Sequence, residues 1–221
     1  MVRVFERHKA KKAHARYEQD VAHWQQQHDA YAGLVQLAQS YEGEPSTEIM
    51  LKPGEAVFAQ VTGASLVEER RGSGHWQGGS TGVSIPVGSL GGRSVRYRVG
   101  ATRGHYVQGT PHPTAVDTGT VFVTNRRVVF QGTNQTRECS FDKLIGFQHS
   151  DADGTTVLSL SNRQKPVTIH YGPDIAGWFD FRLDLALAHF RNAVAPLVTQ
   201  LQQELAAIDA ARPVAPAPFP P

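Results

Sequence analysis

The chain has a single cysteine, Cys139, in 221 residues. No disulfide can form within it, and no Cys or His stands near it at zinc-ligand spacing. Such usage fits a reducing, cytoplasmic compartment. No stretch reaches the roughly 18 consecutive apolar residues of a membrane span. The start, MVRVFERHKAKKAHARYEQD, is basic, but no apolar segment follows it, so it does not read as a secretory signal. Any membrane role is therefore expected to be peripheral. The formal net charge is only +2, which gives no global pull toward nucleic acid or anionic lipid. Charged residues are few, at 19%, while glycines number 21, a balance that favours a turn-rich β domain over a helical bundle.

The scarcities are also local. Residues 3–42 lack proline, contain only Gly33, and are rich in good helix formers. Larger or apolar groups recur at Tyr17, Val21, Trp24, His28, Tyr31, Val35 and Ala38, in steps of four and three, and the series extends upstream to His14 and Ala10. That heptad-like stripe predicts a helix, residues 1–42, packing along another helix. Residues 43–54, GEPSTEIMLKPG, read as a linker. From 55 the period shortens: AVFAQV, VSIPV, VRYRV, TVFVT, RVVFQ, CSFDKLIGFQ, TVLSLS and PVTIHY read as strands, with Asp153-Gly154 as a hairpin turn. Residues 173–210 return to helix. Pro173 and Asp174 suit its start, and Pro196 predicts a kink or restart. Its apolar stripe runs through Leu183, Leu187, Phe190, Val194, Leu197, Leu201, Leu205 and Ile208. The two stripes pair within one chain as an antiparallel hairpin, or between two chains as a dimer. Residues 211–221 are a proline-rich tail with two P-x-x-P spacings, of the kind that partner domains gripping extended proline segments can bind.

One stretch is more specific. Gly119, then the strand ending in Thr124-Asn125-Arg126-Arg127, then a strand ending in Phe130, followed by SFDKLIGF, TTVLSLS and a helix with a tryptophan, resembles the GRAM and bacterial PH-like family. The resemblance covers roughly residues 50–190. It implies an α+β fold: a partly open barrel of about seven antiparallel strands over residues 55–190, capped by a C-terminal helix with Trp178 facing the barrel mouth. Residues 191–210 would extend that helix against the N-terminal one. It also implies binding in place of catalysis, because such domains dock lipids, phosphorylated headgroups or protein segments. The chain departs from a minimal domain by an expanded segment between its early strands, ERRGSGHWQGGSTGVSIPVGSLGGRSVRYRVGATRG.

Candidate chemistry is sparse. Arg126 and Arg127 sit at a hairpin tip. They form either a solubilising or structural turn, with an arginine pairing Asp117 or Glu138, or an anion site to which Arg96, Arg98 and Arg103 add charge. Gly74 and Gly79 have phosphate-loop spacing, but Ser80 follows where lysine is needed, and a strand follows where a helix is needed. GGSTG at 78–82 matches a nucleophile elbow but lacks the strand before and the helix after Ser80. His75 and Trp76 in this glycine-rich loop are candidates for contact with a membrane or a peptide. Arg3, Arg7, Lys9, Lys11, Lys12 and Arg16 against Glu6 give residues 1–16 a net charge of +5. They make either a solvated helix end or an attraction to anionic membrane. No stacking aromatics interleave with the charges in residues 6–16, which argues against nucleic acid. The histidines match no metal pattern, and His14 and His28 lie on the stripe, where they would make helix pairing pH-sensitive. Asp151 and Asp153 read as turn residues.

The expectation is thus a non-catalytic binding or adaptor module without metal or cofactor. Its recognition surface would combine the loop at 70–82 with the hairpin at 124–127, and the helices would serve self-association or partner docking. A structural, oligomerising protein with the barrel as spacer is the alternative, and an enzyme with an unrecognised site is a more distant one.

Overall fold

The computed structural model describes the backbone of residues 2–71, 75–90, 93–107 and 111–216, and the side chains of residues 11–70 and 112–216. Helix α1 (Val2–Ser40) is one continuous rod. Nine strands follow: β1 (Val57–Arg71), β2 (His75–Leu90), β3 (Arg93–Val107), β4 (Pro111–Thr124), β5 (Arg127–Gly132), β6 (Thr136–Ser140), β7 (Leu144–Ser150), β8 (Thr155–Leu160) and β9 (Val167–His170). Then come α2 (Ala176–Phe190) and α3 (Val194–Ala210).

Seven strands make one antiparallel sheet in the order β6-β5-β4-β1-β9-β8-β7. Its two outer strands do not pair, so the sheet is open. Strands β2 and β3 pair only with each other. Arg71 lies opposite Pro111, and His75 lies opposite Val107. The β2–β3 ribbon is thus a second antiparallel pair inserted between β1 and β4 in the chain. The expected loop at 70–82 is therefore corrected: from His75 onward this glycine-rich stretch is strand. Other boundaries also moved. CSFDKLIGFQ is two strands separated by a 3₁₀ turn at Phe141–Lys143. The C-terminal helix is interrupted ahead of Pro196, at Asn192, whose φ of +54° ends α2.

The central strands are apolar without alternation because both faces of the sheet are covered. One face carries the main core, with Phe58, Val121, Val123, Phe130, Leu158 and Ile169 against Phe179, Leu183 and Leu187 of α2. That helical face follows the i, i+4 spacing an amphipathic helix needs. The other face holds Val57, Phe122 and Val129, packed under Ile49 and Leu51. The stretch read as a linker is thus a strap across the back of the sheet.

Helix α1 touches α3. The Trp24 indole N–H donates to the Ile208 carbonyl at 2.8 Å, and Tyr41, just past the other end of α1, has its carbonyl 3.1 Å from His189 Nε2. The stripe positions Tyr17, Val21, Trp24, His28 and Tyr31 are all partly covered, and Val35 and Ala38 are buried.

Gly119 shows why the β4–β5 hairpin tolerates no side chain there. A Cβ at this position would collide with the Gln131 carbonyl oxygen and the Gly132 Cα. Because the obstacle is paired backbone, Gly119→Ala should destabilise the protein by roughly 3 kcal/mol. A chemical-denaturation midpoint matching wild type would contradict this.

Candidate functional site

The Thr124–Arg127 turn is built as a lock. Thr124 Oγ1 accepts the Arg126 and Arg127 amides and donates to Glu55 Oε1 at 2.7 Å. Asn125 accepts the Ala56 amide and donates to the Gly54 carbonyl. Its short amide thereby does for residues 54–56 what a neighbouring strand would do.

The two arginines then part. The Arg127 guanidinium is nearly buried. It bonds Glu55 from Nε at 2.8 Å and Nη2 at 3.1 Å, Glu138 from Nη1 at 2.9 Å, and the Met50 carbonyl from Nη2 at 2.7 Å. The Glu55 side chain is fully buried. Burial alone would raise its pKa, but the bonds from Arg127, the Lys52 amide and Thr124 outweigh that and hold it below the ordinary carboxylate value. Arg127 is thus removed from the anion-site candidates, because its donors are consumed internally by Glu55 and Glu138. Asp117, the other carboxylate considered for it, instead accepts the amides of Thr118, Asn134 and Gln135 and closes the β5–β6 turn.

Arg126 is exposed, and no carboxylate pairs with it among the described residues. It lines a cleft of about 550 Å³ with Lys52, Asn125, Ser140, Asp142, His189 and Phe190. Lys52 Nζ also reaches Glu138 at 3.4 Å. Two cations, a histidine, a hydroxyl, an amide, a half-exposed phenylalanine and one carboxylate therefore converge on one opening, the carboxylate being Asp142, which lies 3.3 Å from Lys143 Nζ. Only Arg126 was visible as a candidate in the sequence. Lys52, on the strap, and His189, on α2, come from segments far apart along the chain.

Arg96, Arg98 and Arg103 are not among the described residues that line this cleft. They belong to β3, which pairs with β2 and with no strand of the seven-stranded sheet among the described residues. Of the expected joint surface, Arg70 and Arg71 lie at the end of β1 away from the 124–127 hairpin, and the side chains of residues 71–82 lie outside the described residues. The side chains of Arg96, Arg98, Arg103, His75 and Trp76 lie outside the described residues, as do those of Arg3, Arg7 and Lys9. Lys11, Lys12 and Arg16 are exposed on α1.

A second cleft, of about 500 Å³, lies beside the C-terminal end of α1. The Arg182 guanidinium stacks 4.2 Å from the Tyr41 ring centroid and 5.6 Å from that of Trp178. Trp178 is 45% exposed and lines this cleft.

A third feature is a buried polar cluster between α2 and strands β7–β9. His149 Nδ1 lies 2.6 Å from Asp180 Oδ1 and 2.8 Å from Thr156 Oγ1. Tyr171 donates to Asp180 at 3.0 Å and bonds Thr156 at 2.8 Å. His149 Nε2 is buried and has no hydrogen-bond partner among the described residues. Cys139 is buried in β6, and burial pushes its thiol pKa up to about 11, which makes it inert. Asp153 accepts the Ser150 hydroxyl within the β7–β8 turn. His28 lies 3.4 Å from Asp209 of α3. Among the described residues no three His, Cys, Asp or Glu side chains group as a metal site, and no helix is long and apolar enough to cross a membrane.

Compared with known proteins, the chain matches no family model, no curated protein and no solved structure.

Proposed function

We propose that this chain is a non-catalytic, PH/GRAM-like binding module that docks an anionic membrane surface through the Arg126 cleft. The observation that carries this reading is the exposed Arg126 guanidinium, which pairs with no carboxylate among the described residues, beside Lys52 and His189 in an open cleft. The flanking groups favour a lipid surface over an acidic peptide. Phe190 is 38% and Met50 91% exposed, and apolar tips beside cations suit the headgroup boundary. Support for the PH-like part comes from the seven antiparallel strands, open between β6 and β7, with a helix carrying Trp178 across one face. The α1–α3 contacts support a helical hairpin standing on that sheet, with the basic end of α1 as a second attraction.

The test is co-sedimentation with anionic and neutral vesicles at two salt concentrations. Each cation near the surface contributes about 1 kcal/mol. Arg126→Ala with Lys52→Ala should thus weaken anionic-vesicle binding roughly 30-fold. If only Lys11→Ala with Lys12→Ala and Arg16→Ala loses binding, the helix is the anchor and the cleft reading fails. If nothing binds at either salt, the membrane reading falls, and acidic peptides become the ligand to try in the same cleft.

A further inference from the structure

The second cleft has a chemistry opposite to the first. Its rim, residues 42–48, is EGEPSTE, with three glutamates and no cation. Glu44 and Glu48 line the cleft, and both are exposed. Each is held by a neutral donor: Glu44 Oε1 accepts the Tyr41 hydroxyl at 3.3 Å, and Glu48 Oε2 accepts Gln60 Nε2 at 2.7 Å. Their position is thus fixed while their charge stays available. Arg182 is withdrawn into its stack on Tyr41, with Nε and Nη1 buried. Trp178 offers a half-exposed ring face. Placed carboxylates beside an aromatic face suit lysine and arginine side chains.

The chain carries such a ligand. Lys11, Lys12 and Arg16 are exposed on α1, within the segment of net charge +5. They lie beyond the point where α3 ends, since Trp24 of α1 already meets Ile208, near the end of α3. They cannot reach the cleft of their own chain. From Lys12 to Ser40 the helix is unbroken, a span of about 42 Å, and Tyr41 at its far end is a cleft wall.

We infer that two copies of this chain associate with their α1 rods antiparallel, the basic end of each seated in the Glu44–Trp178 cleft of the other. A single rod carries a basic end and an acidic end at fixed separation. Two such rods side by side satisfy both contacts at once, which gives the closed two-fold arrangement of an isologous dimer. The Arg126 cleft lies on other residues and is untouched by this pairing, whereas the basic end of α1 is shared: seated in the partner's cleft, it is withdrawn from the membrane attraction proposed above.

The experiment is sedimentation velocity of the full chain, at low salt and at about 0.5 M salt, where exposed charge pairs are screened. Wild type should dimerise at low salt and dissociate at high salt. Glu42→Lys/Glu44→Lys/Glu48→Lys gives a chain basic at both ends, and Lys11→Glu/Lys12→Glu/Arg16→Glu gives one acidic at the α1 end and the cleft. Each alone should show a dimer dissociation constant raised at least about tenfold. Mixing the two should restore a heterodimer, which also shows that both reversed chains are folded. A monomeric wild type at low salt overturns the inference. So does a dimer that neither reversal weakens, or a mixture that fails to associate while both chains keep wild-type helix content by circular dichroism.

Discussion

Arg127→Ala should lower the free energy of unfolding by about 3–5 kcal/mol, the cost of leaving one member of a buried pair without its partner. Glu55 is the reason. Its side chain is fully buried, and Arg127 supplies two of its hydrogen bonds. Truncation also frees Glu138 and the Met50 carbonyl, so the strap over the back of the sheet loses its fastening. Arg127→Lys should recover only part of the loss, because one ammonium cannot span two carboxylates and a carbonyl as the guanidinium fork does. The variants differ in their response to pH. Glu55 has a lowered pKa in the folded protein, so its contribution is complete above the ordinary carboxylate range and is lost as pH falls through the folded value. Urea midpoints for wild type and Arg127→Ala should therefore differ most near neutrality and converge in acid. Equal midpoints at neutral pH would show that the lock is not what holds the strap.

Asp180→Asn should change the pH dependence of stability more than any surface substitution. Burial, with Asp151 and Asp184 nearby, raises the Asp180 pKa to about 6 against the bond from Tyr171, which lowers it. A raised carboxylate stabilises the fold below its unfolded pKa and loses that contribution as pH rises through about 6. His149, 2.6 Å away, has the opposite slope. Burial lowers its pKa, so its contribution is present above the ordinary histidine value and is lost as pH falls. The two slopes oppose each other in wild type. Removing the Asp180 titration should leave the histidine limb alone, so stability of Asp180→Asn rises as pH rises toward the ordinary histidine value and then levels off. Thermal melts from acid to neutral pH decide it, and parallel profiles for variant and wild type would contradict the assignment.

Local pattern made much of the fold legible, and the misses share a cause. The heptad stripe of α1 follows the burial of its residues because a long helix shows its period without reference to anything else. TVFVT and RVVFQ were readable as strands, but their lack of alternation had a non-local reason, the strap bearing Ile49 and Leu51. GSGHWQGGSTG read as a loop because glycine is poor strand material, whereas from His75 onward it is strand, paired with β3. At the candidate site, the motif Thr124-Asn125-Arg127 was visible, but its meaning depended on Glu55, 72 residues from Arg127 in the chain. The Arg126 cleft and the His149–Asp180 cluster were invisible for the same reason. No spacing rule joins Lys52 to His189, or a β7 histidine to an α2 aspartate.

The central place of β1 also governs the order in which the chain can fold as it is made. β1 borders β4 on one side and β9 on the other, and between β1 and β4 the whole ribbon must be synthesised. Trp24 must wait for Ile208, 184 residues on. Contacts of such separation are slow to form, and the apolar surface they will cover stays exposed meanwhile. During synthesis α1 emerges ahead of the sheet, and Trp24 on its stripe stays without its partner until α3 has been made. The nascent chain therefore carries that apolar surface uncovered for as long as the sheet and α2 take to be made.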